Sequence, residues 1–557
     1  MSESTDMLET LLERLDWQTA ERDDLKVASI VAVDRKMDTV HRLDQGGLLD
    51  IFMVFLDQIG FREYLAGLKP KLRQRFMIPT VTILLTYMTK ILVGVKSVYA
   101  LPQILLSDPS MMKVLGFNAR WSEQGLCNRS HEKRHPDKEP ARPFSAQMVA
   151  NFLGDLMIRE SMHFFNQAIR CLARFGVFPR EVTLVLDGTD IETTDKCLGA
   201  GRTTRTKEQT DRQGRIHCVE VTVFGFRAVV AFEISTQLPV GCIVTKIQRS
   251  EVRLARRLVR QVEENLAPGG SKIAKVIVDR GFVDGEFLWW LDQQGIAFVV
   301  PARKDMLVYK GAVARAGKGQ GYLQSRKRMV NRGHGKKKTR KILKTEVMGV
   351  TGLTLWENYG DPARRKERRR RGYVPKPINA VVVLTWDGDL LKPQSQVVFL
   401  TNQPVTKPLL VFDDYDRRSL IENILFREGK QGWHLERIPQ KTQRAAVAHI
   451  FITFTMMALT TAYRQWQRQQ DEEAKANGER TSALDLDEED ESLGVRRWRR
   501  LIRERTQDHV IVFADAHYGI FHLTEFALFL GARLQTIPDE LGSPEDIFRR
   551  YHLDPPP

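Results

Sequence analysis

The sequence predicts an α/β protein: a mixed β-sheet flanked by helices, carrying a β-rich insertion and preceded by a helical N-terminal domain. Three observations predict it. Residues 1–165 hold apolar clusters at helical spacing, residues 181–303 hold short β-branched runs alternating with two helical patterns, and residues 304–407 mix basic runs with further strand-like segments. At 557 residues the chain exceeds what one core organises, and 42% hydrophobic content suffices for several domains.

In the first segment, LLDIFMVFLDQIG and MVANFLGDLMIRESMHFFNQAIRCLARF read as helices on either side of the polar, basic stretch NRSHEKRHPDKEPARP. Residues 1–165 are expected to be an accessory, DNA-binding helical domain. The opening MSESTDMLETLLERL is acidic and amphipathic, unlike a secretory signal. Met77–Val95 and Val447–Tyr463 are apolar, but the first contains Pro79 and Lys90 and the second is short and Thr-rich. A spanning helix needs about 20 mainly apolar residues, so both read as buried core helices and no membrane partner is expected. The cysteines Cys127, Cys171, Cys197, Cys218 and Cys242 are scattered and free of any CxxC, as in a reducing, cytoplasmic setting.

From Glu181 come VTLVLD, IHCVEVTVFGF and AVVAFEIST, read as three strands pairing through short turns. A helix follows in EVRLARRLVRQVEENLAPGG, where Val252, Ala255, Val259, Val262 and Leu266 recur at spacings of three and four before Pro268, Gly269 and Gly270. Then come strand KIAKVIVD, helix GEFLWWLDQQG and strand IAFVVPA. Three strands, helix, strand, helix and strand match the order of the RNase H-like fold. Residues 181–303 are its first part.

Residues 304–407 are a basic, β-containing insertion, with GHGKKKTRK and ARRKERRRRG amid INAVVVLTW and SQVVFLT. Residues 408–470 return to helix as the second part of the core. Residues 471–494 are acidic enough for a flexible linker, and 495–557 read as a C-terminal tail segment.

The net charge of +16 favours a polyanionic partner, most often nucleic acid. Attack on a phosphodiester needs two divalent cations about 3.5 to 4 Å apart, and Mg²⁺ or Mn²⁺ takes oxygen ligands. Acids at the ends of apolar strands are therefore the candidates. Asp187 closes VTLVLD and precedes Gly188, which leaves room beside the carboxylate; Asp279 closes VIVD before Arg280 and Gly281. Each could instead cap the following turn. In YDRRSLIENILFREGK, Tyr415, Arg418 and Glu422 share one helical face, presenting a carboxylate flanked by a cation and a phenol; an ordinary surface ion pair has the same spacing. Asp190 and Glu428 are rivals. Asp190 lies past the expected strand end, and Glu428 is turned about 120° from Glu422.

Together these segments resemble the DDE transposases of bacterial insertion sequences, within them the insertion-sequence-four group. That group has an Asp in a DGT-type motif, an Asp in a DRGF-type motif, and a helix reading Tyr, two residues, Arg, three residues, Glu, six residues, Lys. Here stand LDGTD with Asp187, VDRGF with Asp279, and Tyr415, Arg418 and Glu422, the resemblance spanning roughly Glu181 to Tyr463. Seven positions after Glu422 stands Gly429; Lys430 follows, about 100° further round an ideal helix unless a bulge intervenes. The resemblance implies an RNase H-like catalytic domain with an insertion between the second Asp and the Glu, Asp187, Asp279 and Glu422 holding two Mg²⁺ with Mn²⁺ as substitute, and Tyr415, Arg418 and Lys430 on transposon-end phosphates. It further implies double-stranded DNA as substrate, both transposon ends and target, a homodimer in a synaptic complex, and a place in the cytoplasm at the bacterial nucleoid.

Lys336, Lys337, Lys338, Arg368, Arg369 and Arg370 could neutralise further phosphates, or belong to a solvated loop. Cys127, His131 and His135 have metal-like spacing without a fourth ligand nearby. The expected function is metal-dependent strand cleavage and strand transfer; an RNase H-like nuclease without strand transfer, or an inactive transposase-derived DNA-binding protein, are the alternatives.

Overall fold

The computed structural model describes residues 21–42, 49–72, 78–106, 115–117, 146–210, 216–332, 339–354, 376–387, 393–477, 494–506, 508–538 and 541–555. The strands are, in chain order, β1 (Glu21–Arg22), β2 (Thr39–Arg42), β3 (Glu181–Thr193), β4 (Gly201–Thr210), β5 (Ile216–Glu233), β6 (Leu238–Lys246), β7 (Lys272–Val278), β8 (Ala297–Pro301), β9 (Tyr322–Arg332), β10 (Thr339–Leu353), β11 (Ile378–Asp387), β12 (Ser395–Thr401), β13 (His509–Ala514) and β14 (His517–His522). Two compact units hold them: Met1–Cys171 with Lys196–Gly199 and Glu428–Pro557, and Leu172–Asp195 with Ala200–Arg427.

The second unit is built on a ten-stranded sheet in the order β4-β5-β3-β7-β8-β12-β11-β10-β9, with β6 also on β5. The β3–β7 and β7–β8 pairs are parallel and the others antiparallel, so the sheet is mixed. Val185, Leu186, Val276, Ile277, Val278 and Val299 are fully buried, as expected of strands with both faces covered. One cover is the Val252–Leu266 helix, whose Ala255, Leu258, Val259, Val262 and Leu266 are buried. It lies close on β6: Gln261 accepts from the Cys242 N–H at 3.1 Å and Asn265 donates to the Val240 carbonyl at 3.0 Å. The Gly285–Gln293 helix begins at Asp284, whose side chain accepts from Phe287 N–H at 2.9 Å. This is the RNase H-like order, and β9 to β12 extend the same sheet through the β8–β12 pair.

Two details differ from the sequence reading. IHCVEVTVFGF and AVVAFEIST form one continuous strand, β5, and it pairs with two strands the sequence reading does not contain, GRTTRTKEQT of β4 and LPVGCIVTK of β6. Gly225, inside β5, is glycine because a Cβ there would come 2.3 Å from the Ile191 carbonyl oxygen of β3.

In the first unit, LDIFMVFLDQ forms the Leu49–Gln58 helix and the later apolar pattern forms the Ala146–Asp155 and Ile158–Arg174 helices. The Thr80–Leu92 helix is buried throughout, and the apolar window of Gln443–Glu473 is long enough to cross a membrane but 94% buried inside the protein. Both are core helices. The segment expected as a linker from residue 471 begins inside the Gln443–Ala476 helix. The segment expected as a tail carries β13 and β14, which join β1 and β2 in a sheet ordered β1-β14-β13-β2. Val510, Val512 and Phe521 of this sheet pack with Val27, Val31, Phe529, Phe548 and Tyr551. HVIVFA and HYGIFH are buried at nearly every consecutive position, so the apolar runs are covered on both faces of the hairpin.

Candidate active site

β3 and β7 pair in parallel up to Leu186 and Val278. The next residue on each path is a carboxylate, Asp187 and Asp279. β7 stops at Val278, and Asp279 enters a tight turn at Arg280–Phe282, its carbonyl accepting from Phe282 N–H at 2.9 Å. β3 does not stop: it continues against β5 to Thr193. The expectation that Asp187 closes its strand is thus corrected, because the strand that ends beside it is β7. The crevice so opened at the carboxyl edge of a parallel pair is where open α/β sheets place ligands.

Asp187 has 14% of its side chain exposed. Its Oδ1 accepts from Gly188 N–H at 2.8 Å and its Oδ2 from Arg418 Nη1 at 2.7 Å. Arg418 Nη2 reaches Glu422 Oε1 at 2.6 Å, so one guanidinium joins two of the three carboxylates. Burial pushes the Asp187 carboxyl up, with Glu422 and Asp279 adding to it against Gly188 N–H and Arg418. For Arg418 burial works downwards, and Asp187, Tyr415, Glu422 and Asp279 together raise it.

Tyr415 lies in the last turn of the Pro408–Asp416 helix, its ring 4.4 Å from that of Phe399 on β12, with the Arg418 guanidinium 6.0 Å from its centroid. Burial raises its phenol, against Arg418. The expected single helix is interrupted: Arg417 and Arg418 form a turn, and Glu422, 53% exposed, lies in a π-helical turn at Ile421–Phe426. The spacing of Tyr415, Arg418 and Glu422 nonetheless brings the three together. π turns of this kind are frequent at functional sites.

Both rivals have other employment. Asp190 lies within β3, three positions on and so on the opposite face from Asp187, where Arg227 grips it with two bonds of 2.7 and 3.0 Å and Arg205 adds a third contact. Glu428 accepts from Val495 N–H at 3.0 Å, at the start of the Val495–Thr506 helix. Lys430 pairs with Glu436 at 2.9 Å. Lys336, Lys337, Lys338, Arg368, Arg369, Arg370, Cys127, His131 and His135 lie outside the described residues.

Among the described residues no three His, Cys, Asp or Glu side chains stand close enough together to hold a metal ion, Arg418 taking one oxygen each of Asp187 and Glu422. A further carboxylate that sequence reasoning passes over, Glu251, stands near Asp187 and Asp279; burial pushes its carboxyl up most, Arg227 acts against that, and Asp187 and Asp279 add to it. Its only signal in the sequence is an acid at the start of a basic amphipathic helix, which reads as a response to the helix dipole.

Sheet order and flanking helices define an RNase H-like protein. Residues 179–459 match the family model described as Transposase DDE domain, and the chain belongs to this family. It is similar to a solved piggyBac transposase synaptic complex with hairpin DNA, determined by cryo-electron microscopy, at 10% identity and a TM-score of 0.35, over 83% of this chain and 80% of that one. No curated protein matches it.

Proposed function

We propose that this protein is the transposase of a mobile DNA element, which binds the terminal inverted repeats, hydrolyses a strand at each end and joins the freed 3′ hydroxyl to target DNA by cut-and-paste. The observation that carries the reading is the side-by-side placement of Asp187 and Asp279 beyond the last paired residues of β3 and β7, with Arg418 and Glu422 against Asp187.

Transposases of this family generally use divalent metal ions. The donor set here fits them, since Asp187, Asp279 and Glu422 offer only hard carboxylate oxygens. These three would hold two Mg²⁺, or Mn²⁺ in their place, which when bound activate the attacking oxygen and stabilise the leaving one. Arg418 is a cation already within reach of both Asp187 and Glu422, placed to take a phosphate oxygen instead. Tyr415, fixed against Phe399, aims a phenol at the same phosphate.

The insertion-sequence-four signature is part of this reading. A π turn holds one residue more than an α turn, and the one at Ile421–Phe426 absorbs the single-residue excess between Glu422 and Lys430. Lys430 then serves as the signature Lys. Cleavage at two ends calls for a homodimer in a synaptic complex, acting on double-stranded DNA at the bacterial nucleoid in the cytoplasm. Residues 1–165 act as accessory DNA-binding segment and 304–407 as basic insertion against the phosphates.

The test is cleavage and joining of duplexes bearing the inverted repeats that flank the gene, with Mg²⁺. Asp187→Asn, Asp279→Asn and Glu422→Gln are each expected to reduce cleavage to background while leaving end binding intact. Cleavage surviving in one variant removes that residue from the site. Hydrolysis without joined product would leave a nuclease, and end binding without turnover in either metal a DNA-binding protein.

A further inference from the structure

Strand geometry turns position 188 to the sheet face opposite Asp187. A Cβ there would lie 2.6 Å from both Cδ and Oε1 of Glu251. The bare backbone of Gly188 is therefore what lets the Glu251 carboxylate lie against β3, at the level of Asp187 and at the edge where β7 has stopped. Gly188 leaves room, as its sequence context suggests, but the room is taken by a carboxylate from another element.

Glu251 is held there. Arg227 Nη1 lies 3.2 Å from Glu251 Oε1 and donates to the Arg249 carbonyl at 3.2 Å, while the rest of the guanidinium grips Asp190. Only 23% of the Glu251 side chain is exposed. Arg205 also pairs with Asp190, so Arg227 is shared between Asp190 and Glu251 and fixes the position of both. A part-buried carboxylate brought against Gly188, at the edge where Asp187 stands, adds a hard oxygen donor where the other three carboxylates would hold a divalent cation.

We propose that Glu251 is a fourth carboxylate of the metal site, reaching it from the sheet face opposite Arg418, with Arg227 as its positioning residue. The inference rests on the transposase reading above. It also assigns Gly188 a role, since any side chain there displaces Glu251.

The experiment is Mn²⁺ binding to the full chain, followed by the loss of the free-ion paramagnetic resonance signal, without DNA. Glu251→Gln is expected to weaken binding by about tenfold or more, Glu251→Asp to recover part of the loss, and Gly188→Ala to weaken it by displacing a chemically unaltered Glu251. Circular dichroism melts identify any variant that is merely unfolded, and Glu251→Asp then carries the comparison. Unchanged Mn²⁺ affinity in folded Glu251→Gln, with loss in Asp187→Asn, overturns the proposal and leaves the transposase reading intact. Unchanged affinity in Glu251→Gln, Asp187→Asn and Asp279→Asn alike overturns both.

Discussion

Arg418 and Asp187 are joined by a 2.7 Å bond between Nη1 and Oδ2, and the same guanidinium bonds Glu422 at 2.6 Å. One cation thus occupies oxygens that a divalent ion would need. Arg418→Ala is expected to tighten Mn²⁺ binding roughly tenfold, since a hydrogen bond to a charged group is worth about 1.5 kcal/mol or more. Titration of the metal-free variant checks this. Affinity falling as in Asp187→Asn would mean that Arg418 builds the site rather than competing for it.

A second prediction concerns Asp57, which accepts from the buried Arg62 Nη1 at 2.6 Å. Burial pushes its carboxyl up to about 6, with Arg62 acting the other way. A raised acid contributes most below its ordinary 3.8, and that contribution is lost as pH rises through about 6. Asp57→Ala removes the carboxylate from a buried guanidinium and is expected to cost about 3 kcal/mol in urea unfolding at pH 7. A loss under about 1 kcal/mol, as at an exposed pair, would refute it.

Lys90 gives the opposite sign. It is 2% exposed, over the Tyr87 ring at 5.4 Å, and burial pulls it down to about 8. A depressed base contributes stability present above its ordinary 10.5 and lost as pH falls through about 8. Lys90→Met is expected to stabilise the protein at pH 7 by on the order of 1–3 kcal/mol, the gap closing by about pH 10.5. Guanidinium unfolding at both pH values decides; an equal gap at each would put the effect in packing instead.

Gly349 of β10 lies between β9 and β11, and a Cβ on it would come 2.1 Å from the Val405 carbonyl oxygen. Gly349→Ala is expected to cost about 1–3 kcal/mol, read as a lower urea midpoint at constant slope. An unchanged midpoint would show that the 401–407 segment yields.

Much of this was legible in the sequence, and the exceptions share a cause. The runs VTLVLD, KIAKVIVD and IAFVVPA become β3, β7 and β8 because buried parallel strands leave a continuous apolar signature. The polar GRTTRTKEQT of β4 carries no such signature and is strand only because β5 offers it a partner. At the site, the spacing of Tyr415, Arg418 and Glu422 survives even with a turn and a π-helical segment between them. Asp190 is set aside in the sequence for lying past a strand end, whereas the structure keeps it in the strand and neutralises it with Arg227. Glu251 is invisible because its approach to Asp187 depends on what packs over Gly188, which no local pattern encodes.

The β1-β14-β13-β2 sheet sets an order of events during synthesis. Glu21 pairs with His517, ~500 positions later, so this sheet cannot close until almost the whole described chain has left the ribosome. Until then β2 and the apolar face of the Asp24–Ser29 helix wait uncovered, while the ten-stranded sheet already has every strand it needs. A ribosome stalled before residue 509 should therefore display a protease-resistant second unit beside a sensitive 21–42 segment.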